Sequence, residues 1–122
     1  MIGYITLGTN DLARAGSFYD AIAKELGVGR MGATDRLIIW GQPGGAAAIG
    51  VALPFDGKPA TVGNGSMAAF EAKDKAQVDR IHALALSLGG KDEGAPGPRG
   101  EGFYAGYFRD LDGNKLNAYV MG

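Results

Sequence analysis

The chain has 122 residues, 46% of them apolar and 20% charged, with a formal net charge of −1. That suffices for one compact domain with a real core and excludes a disordered chain, while the lack of like-charge runs argues against a nucleic-acid or anionic-membrane partner. With no cysteine and one histidine, His82, it excludes disulfides, thiolate metal sites, a cysteine nucleophile and any site built from several imidazoles of one chain.

Ile2 to Gly8 alternates large apolar with smaller or polar residues, as a strand does. It has no basic stretch followed by a long apolar segment, so no secretory signal is expected and the cytoplasm is the expected location. No later apolar run approaches the length of a membrane span. Asn10 or Asp11 can cap a helix carrying Leu12, Ala15, Phe18, Tyr19, Ile22 and Leu26, which Gly27 stops. Three short strands are predicted next: about Val28 to Ala33, Arg36 to Gly41 and Ala46 to Leu53. Thr34-Asp35 and Gln42 to Gly45 supply the turns. Pro54 to Gly65 reads as a linker.

The order then repeats. Met67 to Ala72 is a strand, and Asp74 can cap a helix carrying Val78, Ile81, His82, Ala85 and Leu88 that ends at Gly89-Gly90. Lys91 to Gly102 is rich in glycine, proline and charge and is read as a connection. Phe103 to Arg109 and Asn114 to Met121 form two strands around an Asp110 to Asn114 turn. At an offset of about 63 residues, Leu7 meets Phe70, Asp11 meets Asp74, Ala15 meets Val78 and Phe18 meets Ile81. One half alone would leave a sheet with an uncovered face. Two halves side by side would make a larger curved sheet with helices outside and a cup inside. The 22 glycines point to many turns and leave room for a cavity.

Three segments carry a resemblance. They are Tyr4-Ile-Thr-Leu-Gly-Thr-Asn-Asp-Leu with Phe18-Tyr19, Gly63-Asn-Gly-Ser-Met-Ala-Ala-Phe70, and Phe108-Arg-Asp-Leu-Asp-Gly-Asn-Lys-Leu-Asn117. In this order and spacing the chain resembles the glyoxalase/bleomycin resistance/extradiol dioxygenase superfamily, the vicinal oxygen chelate fold. The resemblance implies an α+β fold of two βαβββ modules, forming a curved mixed sheet with a cup-shaped pocket and helices on the outer face. It gives a single domain over 1–122, with module one at about 1–55, a linker at about 54–65 and module two at about 66–122. The final turn also looks like part of a calcium loop, but the remaining ligands are absent.

Metal-using members of that superfamily place one ligand from each of four strands in the cup, commonly two histidines and two glutamates. Strand parity says which residues stand there. With Ile5 and Leu7 under the helix, Tyr4, Thr6 and Gly8 face the cup, and Tyr4 takes the first ligand position. With Ile49, Val51 and Leu53 in the core, Gly50 takes the second. Ala68, Phe70 and Ala72 face the helix, so Met67, Ala69 and Glu71 face the cup and Met67 takes the third. Leu116, Ala118 and Val120 are core, so Lys115, Asn117 and Tyr119 face the cup and Asn117 takes the fourth. These residues offer no carboxylate and no imidazole, so no metal and no cofactor are expected.

Other candidates follow from the same parity. Tyr4, Trp40, Tyr107 and Tyr119 are expected to wall the cup with aromatic surface, as in small-molecule sites, or else to fill it or form a dimer contact. Glu71 is a candidate general base if desolvated, against a solvated or paired carboxylate. His82 lies on the helix side and reads as structural. Gly44-Gly45 and Gly63-Asn-Gly65 fit no phosphate-loop fingerprint. The expected ligand-binding set is Tyr4, Trp40, Met67, Glu71, Tyr107, Asn117 and Tyr119, with no catalytic residue assigned. The first functional expectation is a metal-free protein that binds a small, flat or aromatic molecule, as the bleomycin-resistance branch implies. The alternative is a glyoxalase- or dioxygenase-type lyase or oxidoreductase with an atypical or metal-independent site using Tyr4, Glu71 or Asn117. A third is an interaction module whose cup its partner occludes. The resemblance also implies a homodimer.

Overall fold

The computed structural model describes residues 1–122. The chain divides into two compact units, Met1–Val62 and Gly63–Gly122. Each unit is a four-stranded mixed sheet with one helix, and each follows the order β-α-β-β-β. No helix is long and apolar enough to cross a membrane.

The first unit runs β1 (Tyr4–Gly8), α1 (Leu12–Glu25), β2 (Gly29–Ala33), β3 (Leu37–Gly41) and β4 (Ala48–Ala52). Its sheet order is β1-β4-β3-β2, with β1 parallel to β4 and the other pairs antiparallel. Asp11 caps α1 by accepting a hydrogen bond from the Arg14 amide at 3.0 Å. Gly27 follows the helix with φ +78, a left-handed conformation that costs glycine little. Ala15, Phe18, Tyr19 and Ile22 of α1 are buried, as are Ile38, Trp40 and Val51 of the sheet.

The second unit runs β5 (Ala68–Glu71), α2 (Lys75–Ser87), β6 (Lys91–Pro98), β7 (Phe103–Arg109) and β8 (Lys115–Met121). Its order, β5-β8-β7-β6, is that of the first sheet, again with one parallel pair, β5 and β8. Asp74 caps α2 by accepting from the Gln77 amide at 2.8 Å, as Asp11 caps α1. Val78, Ile81 and Ala85 pack with Phe108, Leu116 and Ala118 in a core fully closed to solvent. His82 belongs to this core: its Nε2 lies 3.0 Å from an Asp92 oxygen and its ring meets Phe108 edge-on.

Two expectations are corrected. The 91–102 stretch is not merely a connection, because Lys91–Pro98 forms β6. Its prolines and glycines hide it from a pattern search, yet they suit an edge strand with two register shifts. Trp40 does not face away from the helix. It is 2% exposed, packs on Tyr19 at 5.4 Å, and donates from Nε1 to Asp20 of α1 at 2.8 Å. Ile38, of the same strand parity, is buried on the helix side with it.

Asp20 joins three elements. Its carboxylate also receives Nε and Nη2 of Arg30 from β2, each at 2.9 Å, and the Arg30 guanidinium lies 5.8 Å over the Trp40 ring. The Arg30 bond is the main cause holding the Asp20 carboxyl below its ordinary range, with the Trp40 bond adding to it against some desolvation. A depressed folded value means that this stability is present above the unfolded carboxylate range and is lost as pH falls through the folded one. Asp20→Asn is therefore expected to flatten the loss of stability below about pH 4, the ordinary range of an aspartate. Asp20→Ala leaves the buried Trp40 N–H without its acceptor and is expected to cost about 1–3 kcal/mol. Urea unfolding of both variants across acid pH checks the pair.

Candidate functional site

A strand sends alternate side chains to opposite faces, and each helix covers only one face of its sheet. The other face of each sheet is called open here. In the first unit Tyr4 and Thr6 stand on it, with Tyr4 61% exposed. The register places Thr6 beside Gly50 and Gly50 beside Ile39. A Cβ at Gly50 would meet the Ile38 carbonyl oxygen at 3.1 Å and carbons of Ile39 and Leu37 at 3.2 Å. Neighbouring groups thus close over this position, and a ligating side chain does not fit there without displacing them.

The second unit is richer. Across β5 and β8, Ala69 pairs with Asn117 and Glu71 with Tyr119. Across β8 and β7, Arg109 pairs with Lys115, Tyr107 with Asn117, Ala105 with Tyr119 and Phe103 with Met121. All of these stand on the open face, because the alternate residues Tyr104, Phe108, Leu116 and Ala118 turn to the helix side, where Tyr104 donates to Asp79 of α2 at 2.6 Å. Met67, just before β5, continues the open-face parity and is 45% exposed.

Three features distinguish this face. Phe103 and Tyr119 stack, with centroids 5.5 Å apart and planes 18° apart. The Tyr107 ring carries two cations, the Arg99 guanidinium and the Lys115 ammonium, each 5.5 Å from its centroid. Asn117 is 2% exposed, and its Oδ1 has no hydrogen-bond partner. A buried amide acceptor left unpaired costs about 1–3 kcal/mol, so it stands out among satisfied polar groups.

Sequence reasoning places Tyr4, Met67, Glu71, Tyr107, Asn117 and Tyr119 facing away from the helices; the strand registers give that parity to all but Met67, which lies just outside β5. Of these, the second sheet brings together Glu71, Tyr107, Asn117 and Tyr119, with Met67 at its margin; Tyr4 belongs to the first sheet, and Trp40 is buried under α1. Glu71 is exposed, which leaves it solvated rather than desolvated for proton abstraction. Sequence reasoning misses Arg99. It lies just past a strand that patterning reads as a connection, and its signal is the pair of glycines it crosses. A Cβ at Gly94 or Gly97 would come within 3.3 Å of its guanidinium nitrogens. Arg99 Nη2 donates to the Ala95 carbonyl at 2.6 Å, which fixes the group over Tyr107. Arg109 donates to Glu93 from Nε and to the Gly113 carbonyl at 3.0 Å. The Arg109 bond is the main cause holding the Glu93 carboxyl low.

The donors at the four positions where a divalent ion would be held do not fit one. The first unit offers an exposed phenol and a closed glycine, and the second a thioether and a neutral amide. Zinc, manganese or iron in such folds takes carboxylate and imidazole. Nowhere do three or more His, Cys, Asp or Glu side chains gather in a metal-holding group.

Residues 1–118 match the family model of the glyoxalase/bleomycin resistance protein/dioxygenase superfamily. Among solved structures, the chain is similar to a glyoxalase/bleomycin resistance protein from Albidiferax ferrireducens T118, with 37% identity, a TM-score of 0.91 and 98% of each chain covered. A lactoylglutathione lyase from Agrobacterium tumefaciens shares the fold at 22% identity and a TM-score of 0.70, covering 98% of this chain and 92% of that one. A glyoxalase/bleomycin resistance protein/dioxygenase family enzyme from Burkholderia phytofirmans PsJN does so at 15% identity and 0.77, covering 98% of each. No match was found among proteins of curated function.

Because the Asn117 acceptor is unpaired, an apolar side chain of similar size is expected to relieve its cost. Asn117→Leu is expected to leave the urea midpoint unchanged or raise stability by up to about 1–3 kcal/mol. A clear loss of stability would show that the amide is already satisfied.

Proposed function

The chain belongs to the glyoxalase/bleomycin resistance protein/dioxygenase superfamily, and from that premise we propose that it binds a small planar aromatic molecule without a metal, on the open face of its second sheet. The observation that carries this reading is the unpaired Asn117 Oδ1, set in strand register with Tyr107 and two residues from Tyr119. A buried acceptor with no internal donor would be satisfied by a donor on a ligand that displaces the side chains covering it. The stacked Phe103 and Tyr119 give a flat apolar surface next to it, which is the usual makeup of a small-molecule site. Holding a ligand this way needs no Lewis acid and no catalytic base. The similar protein from Albidiferax is named a glyoxalase/bleomycin resistance protein, which is compatible with such a role.

Metal analysis of protein purified without chelator is expected to find well under one equivalent of zinc, nickel, manganese or iron. A stoichiometric, tightly held ion would overturn the metal-free reading. A thermal-shift screen with metabolites and aromatic antibiotics, bleomycin among them, is expected to find stabilising compounds, since a ligand at a hundred times its Kd adds about 2.7 kcal/mol. Asn117→Leu should abolish those shifts without unfolding the protein.

We also propose that the chain works as a homodimer. Tyr4, Met31, Met67 and Met121 are each 45% exposed or more, and such apolar surface is what a second copy would cover. Light scattering is expected to give twice the 12.6 kDa chain mass. A monomer at micromolar concentration would refute it.

A further inference from the structure

We propose that the ligand of the second sheet is an aromatic monoanion, a carboxylate bearing a neighbouring hydroxyl or N–H, and that Arg99 and Lys115 recognise its charge. This rests on the binding reading above and adds the chemical class.

The charge balance of the face is the first support. The chain as a whole carries −1, yet one end of this face is basic. Arg109 pairs with Lys115 across β7 and β8, and with Lys91 across β7 and β6. Arg99 lies over Tyr107 beside them. Against these four cations stands Glu93, already engaged by Arg109. Lys115 feels Glu93 only through space, and neither Lys115 nor Arg99 is in ion-pair contact with a carboxylate. Lys115 has the Tyr107 ring, and Arg99 has that ring and two backbone carbonyls. An aromatic face attracts a cation but leaves its charge uncompensated, so both groups remain available to an anion.

The second support is spacing. Open-face residues along a strand lie roughly 6.6 Å apart, two residues of extended chain. Lys115, Asn117 and Tyr119 therefore form a row of cation, acceptor and aromatic ring spanning about 13 Å. A ligand matching that row presents an anion, then a hydrogen-bond donor, then a ring. On this reading the ligand supplies the donor, since Asn117 Oδ1 has none in the protein. Glu71, paired with Tyr119 at the far end of the row, disfavours a second anion there. That limits the ligand to one negative charge and fixes its direction on the face.

The test uses the full-length protein and matched probes: salicylate with salicylamide, and indole-3-lactate with indole-3-lactamide. Each amide keeps the ring and the hydroxyl and replaces the anion by a neutral group that adds N–H donors, so a preference for the acid reports charge and not donor count. Affinities come from titrations followed by amide chemical shifts, which also report where each probe sits and whether each variant is folded. Each carboxylate is expected to bind at least tenfold more tightly than its amide, perturbing the Tyr107, Lys115 and Asn117 resonances. Lys115→Gln and Arg99→Gln are each expected to weaken the carboxylates by about tenfold and to leave the amides unchanged. Equal affinity for acid and amide, or losses in the variants that are the same for both, would overturn the assignment of charge and leave the aromatic binding reading standing. No perturbation of this face by any of the four probes would overturn the proposal itself; the binding reading is then judged by the wider screen.

Discussion

One helix of three to four turns can cover one face of a four-stranded sheet and nothing more. Each half of this chain is built on that constraint. The sheet residues that turn toward the helix (Ile38, Trp40 and Val51 in the first half, Phe108, Leu116 and Ala118 in the second) are almost wholly buried. Each large apolar side chain buried there contributes about 1.5–3 kcal/mol, which is how such small units hold together. Residues of the opposite parity contribute little of this. They are released from the demands of the core, so their identities answer to something else. The repeated aspartate caps, Asp11 and Asp74, fix where each helix starts and so which parity it covers.

Asn117 breaks that division of labour. It has open-face parity yet is buried, with an acceptor that has no hydrogen-bond partner in the protein. A chain selected only for stability would have a leucine or valine here, as Leu116 and Val120 stand on the helix side of the same strand. Local rules are broken most often where a site is built. The same holds for Lys115, whose ammonium rests on an aromatic ring when a carboxylate would hold it more firmly. Both departures occur on one strand, two residues apart, and point the same way out of the sheet.

Much of this was legible in the sequence because alternation has a period of two and a helix has a period of 3.6. Ile5 and Leu7, or Leu116 and Ala118, declare their face by composition alone, and the partner residues follow. Trp40 shows where that reading stops. It is large and aromatic, which suited an open pocket, but its indole N–H needs an acceptor when buried, and Asp20 lies on a helix twenty residues earlier. A strand pattern gives parity and not the partner that decides between faces. Strand β6 escaped because its pairing is set by β7 rather than by its own residues. Ala95, Pro96 and Gly97 carry no alternation to read. Arg99 was lost with it, since a side chain that crosses two glycines can be placed only once the strand beneath it exists.

The open faces also bear on the metal. In the first half one of the two ligand positions, Gly50, has no side chain, and the Ile38 carbonyl with Leu37 and Ile39 crowds it, so a ligating side chain there must displace its neighbours. In the second half the obstacle is electrostatic. Lys115 sits one open-face step from Asn117, roughly 6.6 Å along the strand. A divalent ion held at Asn117 would face that ammonium with a repulsion of roughly 5 kcal/mol at an effective dielectric constant of about 20. A carboxylate at 117 would offset part of it, and an amide offsets almost none. The cations that disfavour a metal are the groups that favour an anion. On the binding reading proposed above, the choice of donor and the sign of the field on this strand act together, against a positive ion and in favour of a negative group.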